Sequence, residues 1–363
     1  MQSRLSTALM ASLVACGTAH QASMDASFGD GFPESGAAGI HAEAGHVEAG
    51  VKDARADAPA TGSLADAGGS LFEPLESLGS LSPNLYYALY QSSIYSVYDS
   101  GYILPLAGGA PQAATFNGPW GDLRSDGETV VIGSKLYLIG GGGEGVFDQW
   151  EVDEWDYVDL AAETYSVGGT SPAYAHQLAA AAYQTSIYAI GGNLQEHGSL
   201  GSTGVSVLDT TTGSWSTGTP LPVPRAQHGA AVLGTTLLVA GGVCSGGGAC
   251  AGPTPSSDFL LDSSVTLDLS SPAATWQPGP TLPAGIEKLT IVACGSRFYG
   301  MGGTTLDDSA LNWTKVLSWA PGEASWRVEG TIPSGIYDLT ILTTATQIYL
   351  LDFTHAQVDL WTP

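Results

Sequence analysis

Basic residues are scarce in this 363-residue chain. It has 10 Lys and Arg against 35 Asp and Glu, a formal net charge of −25. Too few cations are present to neutralise a run of phosphates, which excludes a nucleic-acid partner. The same shortage excludes docking on an anionic membrane through basic patches. No segment after residue 16 is long and apolar enough to cross a bilayer.

Charged residues of either sign are also few, at 12% of the chain, about half the usual share of ~25%. In their place the chain has 49 Gly, 15 Tyr and 9 Trp. Many glycines and large aromatic residues with few charges are typical of strands joined by tight turns. The composition therefore predicts an all-β protein and argues against a helical bundle.

The N-terminal 16 residues have the layout of an export signal. Arg4 precedes a mostly apolar run that ends in Leu13-Val14-Ala15-Cys16. These four residues resemble the cleavage motif of bacterial lipoproteins, which implies a signal peptide over 1–15 and a lipid on Cys16. An ordinary signal peptide with an incidental cysteine is the alternative. The lipoprotein interpretation predicts a cell-envelope protein, at the outer membrane or cell surface, that contacts the membrane only through its lipid.

Residues 16–69 form the predicted linker. Nearly half of this segment is Ala or Gly, and Phe28 and Phe32 are its only aromatic residues. Such a segment buries too little apolar surface to offset the entropy cost of ordering it. We expect a disordered tether between the lipid and a domain over 70–363.

An internal repeat runs through that domain. Four short apolar runs end in a glycine pair, and two degenerate copies end in Tyr98-Asp99 and Asp352-Phe353. The six positions lie 42 to 61 residues apart. An aromatic residue stands 26 residues upstream of five of them, and the copy near Gly140 has Ala114 instead. The four complete pairs are Gly140–Gly141, Gly191–Gly192, Gly241–Gly242 and Gly302–Gly303. The five upstream aromatic residues are Phe72, Tyr165, Trp215, Trp276 and Trp326.

A period near 50 residues, with a glycine pair and an aromatic residue in each copy, resembles the kelch repeat. The resemblance implies a six-bladed kelch-type β-propeller over residues 70–363. We expect the strand near 71–75 to complete the last blade, because only 11 residues follow Asp352. The fold hosts many functions, so it does not by itself name an activity.

Two cysteines lie close together after the fourth glycine pair. Cys244 and Cys250 enclose a Gly-rich segment, and in an exported protein they are expected to form a disulfide. Metal binding by the pair is the weaker alternative, since no histidine or third cysteine is adjacent. We predict no metal site and no cofactor.

In kelch propellers, the segments after the glycine pairs and those that lead into the inner strands line one face. The resemblance therefore implies that polar residues in these segments contact a ligand. Arg225 shares its repeat position with Arg124, so a framework role is its alternative. The candidates are Glu144, Asn193, His197, Arg225, His228, Glu287, Lys288, Asp307 and Asp308.

These candidates favour a monomeric protein that binds a protein or glycan partner through this face. The competing prediction is an exported carbohydrate-active enzyme, such as an epimerase similar to sialic acid mutarotases. An enzyme of that kind needs an acid and a base in the funnel. The spacing of residues selects no catalytic group, which favours the binding protein.

Overall fold

The computed structural model describes residues 18–19, 71–77, 85–98, 100–118, 124–125, 127–143, 150–151, 154–172, 176–193, 201–244, 250, 259–305, 313–333 and 339–363. Every regular element in these ranges is a β-strand. Cys16 and nearly all of the predicted linker lie outside the described residues. Two residues of that linker, Thr18 and Ala19, form a short strand.

The strands are numbered in chain order. The first ten are β1 (Thr18–Ala19), β2 (Glu73–Ser77), β3 (Tyr86–Tyr90), β4 (Ser93–Val97), β5 (Ser100–Pro105), β6 (Gln112–Thr115), β7 (Arg124–Ser125), β8 (Glu128–Ile132), β9 (Lys135–Ile139) and β10 (Gly142–Gly143). The next ten are β11 (Trp150–Glu151), β12 (Glu154–Asp159), β13 (Thr164–Thr170), β14 (Ala179–Tyr183), β15 (Ser186–Ile190), β16 (Val205–Asp209), β17 (Ser214–Thr217), β18 (Gly229–Leu233), β19 (Thr236–Ala240) and β20 (Val243–Cys244). The last ten are β21 (Phe259–Leu260), β22 (Ser264–Asp268), β23 (Gln277–Pro278), β24 (Thr290–Cys294), β25 (Arg297–Met301), β26 (Lys315–Trp319), β27 (Arg327–Thr331), β28 (Leu339–Thr343), β29 (Ile348–Asp352) and β30 (Gln357–Trp361).

Six antiparallel blades account for most of these strands. From the innermost strand outward, blade 1 is β3-β4-β5-β6, blade 2 is β8-β9-β12-β13 and blade 3 is β14-β15-β16-β17. Blade 4 is β18-β19-β22-β23, blade 5 is β24-β25-β26-β27 and blade 6 is β28-β29-β30-β2. The predicted six-bladed kelch-type propeller is therefore confirmed.

The blades form a closed ring. Each innermost strand lies beside the innermost strands of the two neighbouring blades, and β28 lies beside β3. The outer strand of blade 6 is β2, with Glu73 opposite Leu360 and Ser77 opposite Gln357. Blade 6 thus combines strands from both ends of the domain, which leaves no blade incomplete at the seam.

The core consists of six apolar clusters, one between each pair of neighbouring blades. The cluster between blades 6 and 1, for example, joins Tyr87 and Leu89 to Leu342 and Leu351. Successive residues of an inner strand point to opposite faces of the blade, and each face packs against a neighbouring blade. Both faces of each sheet are therefore covered. This explains why the inner strands are buried at nearly every position.

The upstream aromatic residues of the repeat fill five of these six clusters. Tyr165, Trp215, Trp276, Trp326 and Phe72 each belong to a different one, between blades 1–2, 2–3, 3–4, 4–5 and 5–6 respectively. Large rings on the outer strands fill space where twisted sheets diverge. The constant 26-residue spacing thus marks one packing role repeated around the ring.

Candidate functional site

The described residues that lead into the inner strands and those that follow the glycine pairs lie at one end of the propeller. We call this end the loop face. In three blades these two kinds of segment pair through their backbones. His176 pairs with Asn193, Ala226 with Val243, and Glu287 with Thr304. The Thr304 hydroxyl also donates to a Glu287 carboxylate oxygen at 2.7 Å. The loop face is therefore built on paired backbone and not on free loops alone.

Two of the glycine pairs join their blade to the next on this face. The Gly192 N–H donates to the Arg225 carbonyl at 2.9 Å, and the Gly242 N–H donates to the Ile286 carbonyl at 2.7 Å. A Cβ added at Gly241 would lie 2.6 Å from the same Ile286 oxygen. Only glycine permits this approach of two backbones together with a positive φ, which is the physical reason for the repeated pair.

A collar of three equivalent residues surrounds part of the channel mouth. Gln177, Gln227 and Lys288 each stand two residues before an inner strand, and their φ values are 56°, 53° and 55°. The Gln227 N–H donates to the Gln177 carbonyl at 2.9 Å, and the Lys288 N–H donates to the Gln227 carbonyl at 2.7 Å. Left-handed backbone at residues other than glycine costs about 1–2 kcal/mol each. Strained backbone of this kind is concentrated at binding sites.

Inside the collar, the central channel contains a small cavity of about 10 Å³, which has room for about one water molecule. Most of its lining comes from the first residues of the inner strands of blades 2 to 5. Small residues at four of these positions leave the space open. The lining residues are Glu128, Ala179, Ala180, His228, Gly229, Ala230, Thr290 and Ile291. An acid, a hydroxyl and an imidazole thus lie around one small cavity.

The structure separates the predicted face residues into two groups. Asn193, Glu287 and Lys288 are partly exposed on the loop face. Arg225 and His228 have no exposed surface. The other four predicted face residues, Glu144, His197, Asp307 and Asp308, lie outside the described residues. A ligand-contact role for any of the nine stays a prediction.

Arg225 is held inside blade 4 by its own hydrogen bonds. Its guanidinium donates to the Gly241 carbonyl at 2.9 Å and to the Ser263 carbonyl and hydroxyl at 3.2 Å each. Burial lowers the pKa of Arg225 to about 10, so the side chain is still charged at neutral pH. These contacts connect the glycine pair to the start of the third strand, which is the framework role left open by the sequence.

The predicted disulfide is confirmed. Cys244 and Cys250 are bonded, with Cα atoms 5.9 Å apart. Both residues are buried, and Cys244 belongs to β20, which pairs with β21 directly after the glycine pair of blade 4. The bond therefore joins the two ends of a short segment on the loop face. The third described cysteine, Cys294, is free and buried, and burial raises the pKa of its thiol to about 11.

Sequence analysis missed the collar glutamines and the cavity residues Glu128 and Thr290. Gln177 and Gln227 could have been identified from the sequence because they share a repeat position with Lys288. Glu128 could have been identified because it is an acid at a repeat position where other inner strands have Ala179 and Gly229. Within the described part of the chain, no group of three or more His, Cys, Asp or Glu side chains is arranged to hold a metal ion. The described residues likewise include no helix that could span a membrane.

Comparison with known proteins supports the fold. The chain is 27% identical over 175 residues to Kelch-like protein 25 of Homo sapiens. The alignment covers 48% of this chain and 27% of that relative, so the chain matches about a quarter of the relative's length. No family model matches the chain. The repeat, the six closed blades and this similarity together identify the domain as a kelch-type β-propeller.

Proposed function

We propose that the propeller is a binding module that holds a partner protein against the loop face. The observation that carries this proposal is the collar of Gln177, Gln227 and Lys288, whose left-handed backbones are linked from blade to blade. A surface whose backbone is already ordered loses little conformational entropy on binding. Similarity to a kelch protein supports a protein partner over other classes of ligand.

The net charge of the chain favours a partner with a basic surface. The chain has a net charge of −25, and the loop face carries Glu287 next to Lys288, both partly exposed. Opposite charge on a partner speeds its encounter and fixes its orientation. The cavity of about 10 Å³ is far smaller than the roughly 300–1,000 Å³ of typical small-molecule pockets. The main contact therefore lies on the face, and a glycan is the second class of partner to test.

The test compares two identical substitutions at opposite ends of the domain. Glu287→Gln removes one negative charge from the loop face and keeps the carbonyl oxygen that accepts from Thr304. Glu163→Gln removes one negative charge in the turn between β12 and β13, at the opposite end. Both side chains are half-buried. The full chain is immobilised, and proteins retained from an extract of the source cells are quantified by mass spectrometry.

We expect Glu287→Gln to lower retention of the main partner several-fold and Glu163→Gln to leave it unchanged. Retention of the partner should also fall as salt is raised, because salt screens exposed charges. Equal retention by both variants would reject the loop face as the contact surface. Binding on a glycan array, with no protein retained, would replace the protein partner by a glycan.

An enzyme is the second candidate, because Glu128 and His228 line the same cavity. A carboxylate and an imidazole facing one space are the groups that general acid–base catalysis requires. In this candidate function, an exported carbohydrate-active enzyme would epimerise a sugar. Turnover of sialic acid anomers, followed by NMR, should then be lost in Glu128→Gln and retained in Glu287→Gln. Absence of turnover in the unchanged protein would reject the enzyme.

We also propose that Cys16 carries a lipid and holds the protein at the cell envelope. The support is the sequence alone, in the motif Leu13-Val14-Ala15-Cys16. Cys16→Ser should move the protein from the membrane fraction to the soluble fraction of the source cells. A wild-type protein found only in the soluble fraction would contradict the anchor.

A further inference from the structure

Two buried carboxylates lie close together in blade 6. Asp352 ends β29, Asp359 belongs to β30, and neither has any exposed surface. Asp352 stands opposite Gln357, whose side-chain amide donates to the Asp359 Oδ1 at 2.9 Å. The Asp359 Oδ2 is also buried, and no hydrogen-bond donor reaches it from the part of the chain that the structure describes. Two acids in such a place repel each other when both are ionised.

A partly exposed histidine contacts one of these acids. His355 lies in the turn 353–356 between β29 and β30, and its side chain is 47% exposed. Its ring Nδ1 lies 2.5 Å from the Asp352 Oδ2, and its backbone N–H donates to the Asp352 Oδ1 at 3.0 Å. Burial and the Asp352 charge raise the pKa of Asp359, whereas the Gln357 hydrogen bond and the His355 charge lower it. We call Asp352, His355 and Asp359 the acid–histidine cluster.

The same turn joins blade 6 to blade 1. Phe353 follows Asp352 directly, and its ring packs on Tyr87 of blade 1 with ring centroids 5.3 Å apart. Asp352 holds the other end of the turn through the two hydrogen-bonding groups of His355. The contact between Asp352 and His355 therefore fixes the segment that carries Phe353 to the neighbouring blade.

The strands of blade 6 add no opposite charge to this cluster. β28, which pairs with β29, contains no titratable residue. On β2, the residue opposite Asp359 is Pro74, whereas the acids Glu73 and Glu76 stand opposite other residues of β30. His355 is therefore the one group in the described strands and turn of blade 6 that can balance the two buried acids.

The neighbouring blades are also occupied with other contacts. In blade 5, Arg297 is paired with Glu323, and Tyr299 packs on Trp361. The charges that shift the pKa of Asp359 come from Asp352 and His355. The titratable residues of blade 5 in or beside the apolar cluster that faces blade 6 are Cys294, Arg297, Tyr299 and Glu329.

We propose that the acid–histidine cluster is a pH-dependent switch that holds the turn 353–356, and with it the contact of Phe353 with blade 1, more tightly at pH 5.5 than at pH 8. Histidine gains its charge within about this range. A charged His355 makes a stronger hydrogen bond to the Asp352 carboxylate and places a positive charge beside Asp359. The inference does not rest on the proposed partner of the loop face.

The titration of Asp359 acts in the same direction. A carboxylate whose pKa is raised by folding stabilises the folded state when it is protonated, and this contribution is lost as the pH rises through the raised pKa. Protonation of Asp359 also removes its repulsion of Asp352. Both groups therefore tighten the turn as the pH falls.

The test compares two turns that contain the same hydrogen bond. The His355 N–H donates to the Asp352 Oδ1 at 3.0 Å, and the Ser270 N–H donates to the Asp268 Oδ1 at 3.0 Å in blade 4. Hydrogen bonds from Ser270 lower the pKa of Asp268, so this carboxylate keeps its charge from pH 5.5 to pH 8. Exchange of both amides is measured by NMR on the full chain at the two pH values. Each rate is expressed as protection relative to an unstructured peptide at the same pH.

We expect protection of the His355 N–H to be about fivefold greater at pH 5.5 than at pH 8, because a charged donor strengthens the contact. Protection of the Ser270 N–H should change by less than about twofold, because neither member of its hydrogen bond titrates in this range. The same pH dependence in both turns would overturn the proposal, as would no dependence at His355.

Two variants separate the contributions of the cluster. His355→Asn retains a side-chain N–H donor but has no group that titrates between pH 5.5 and pH 8, so most of the pH dependence at position 355 should disappear. Asp359→Asn should instead raise protection of the His355 N–H at pH 8, where the wild-type carboxylate is ionised. An unchanged pH dependence in His355→Asn would reject the switch. If the Ser270 N–H also loses protection in a variant, the whole domain has loosened, and the comparison of the two turns in the wild-type protein decides.

Discussion

The interface between blades 4 and 5 and the interface between blades 6 and 1 are equivalent in the ring, but different residues form them. Between blades 4 and 5, the Gly242 N–H donates to the Ile286 carbonyl at 2.7 Å. Trp326 fills the same interface, and its indole N–H donates to the Pro280 carbonyl at 3.1 Å. Backbone approach and one outer aromatic residue hold these two blades together.

Between blades 6 and 1, the sequence has neither the glycine pair nor the upstream aromatic residue of the repeat. Asp352-Phe353 replaces the glycine pair, and blade 1 has Ala114 at the repeat position of the outer aromatic residue, where its side chain belongs to the cluster between blades 1 and 2. The Phe353 ring instead packs on Tyr87 of blade 1, with ring centroids 5.3 Å apart. The fully buried Asp352 carboxylate accepts the His355 N–H at 3.0 Å and contacts the His355 ring Nδ1 at 2.5 Å. The contact between Phe353 and Tyr87 thus crosses the interface where the repeat is degenerate, whereas the contact between Asp352 and His355 lies within blade 6.

The largest effect should come from placing a side chain between blades 4 and 5. In Gly241→Ala, the new Cβ would lie 2.6 Å from the Ile286 carbonyl oxygen and 3.5 Å from the Leu282 Cδ1, at a φ of 70°. Overpacking and left-handed strain together predict a loss of about 3 kcal/mol in the free energy of unfolding. Urea unfolding followed by tryptophan fluorescence measures it.

Gly234→Ala is the control for this prediction. Its φ is 61°, and no atom lies within 4 Å of the added Cβ. It should lose only about 1 kcal/mol, from left-handed strain alone. Equal losses in the two variants would show that the close approach of the backbones is not what requires glycine.

A smaller loss is expected from restoring the repeat at the other interface. Phe353→Gly gives blade 6 the residue found in the complete repeats but removes the ring from Tyr87. We expect a loss of about 2 kcal/mol in the free energy of unfolding, because the ring is half-buried and nothing replaces it. Phe353→Leu should retain more than half of that stability in the same urea experiment. A gain of stability in Phe353→Gly would mean that the glycine pair is favourable in every blade.

The disulfide of blade 4 should contribute a similar or slightly smaller amount. Replacing both Cys244 and Cys250 by Ser opens a loop with a sequence separation of 6. Loop-closure entropy predicts a loss of about 2 kcal/mol. Thermal unfolding with and without dithiothreitol measures it. Reduction should lower the melting temperature of the wild-type protein and leave that of the double variant unchanged. A melting temperature of the double variant that also falls with dithiothreitol would show that the reductant does not act through this disulfide.

The smallest effect concerns the buried carboxylates of blade 6. Burial, and then the nearby Asp352 charge, raise the pKa of Asp359. The folded state therefore binds this proton more tightly than the unfolded chain, so the ionised group opposes folding at neutral pH. Asp359→Asn should unfold at higher urea concentration than the wild type at pH 7. This advantage should shrink as the pH falls toward the ordinary pKa of aspartate, about 4.

Asp268→Asn in blade 4 is the control, because the pKa of Asp268 is shifted in the opposite direction. The Ser270 hydroxyl and backbone N–H donate to the Asp268 carboxylate and lower its pKa. Its ionised form favours folding, so Asp268→Asn should be less stable than the wild type at pH 7. That deficit should vanish as the pH falls through the lowered pKa. If both variants gained stability at pH 7, or both lost it, the opposite pKa shifts of Asp359 and Asp268 would be contradicted.

Much of the fold follows from local signals in the chain. The glycine pairs mark strand ends at which two backbones meet, and the 26-residue spacing marks one aromatic residue for each interface. Cys244 and Cys250 are close in sequence, so their pairing needs no knowledge of the fold. These features repeat along the chain because the same local geometry recurs in each blade.

The candidate site could be predicted only in part. Lys288 was named from its segment, but its equivalents Gln177 and Gln227 were not, because a lone glutamine in a loop has no distinctive pattern. Arg225 was named as a face residue, yet its guanidinium points to Gly241 and Ser263. The direction of a side chain depends on strands that lie up to 38 residues away in the sequence.

The sequence by itself determined the all-β class, the number of blades and the aromatic residue at each of five interfaces, because these depend on periodic local patterns. Only the tertiary structure decided which residues meet in the centre. Glu128, His228 and Thr290 come from three different blades, and β1 reaches β8 from more than 100 residues away. Closure of the ring brings these groups together, and no local pattern encodes an encounter between segments so far apart.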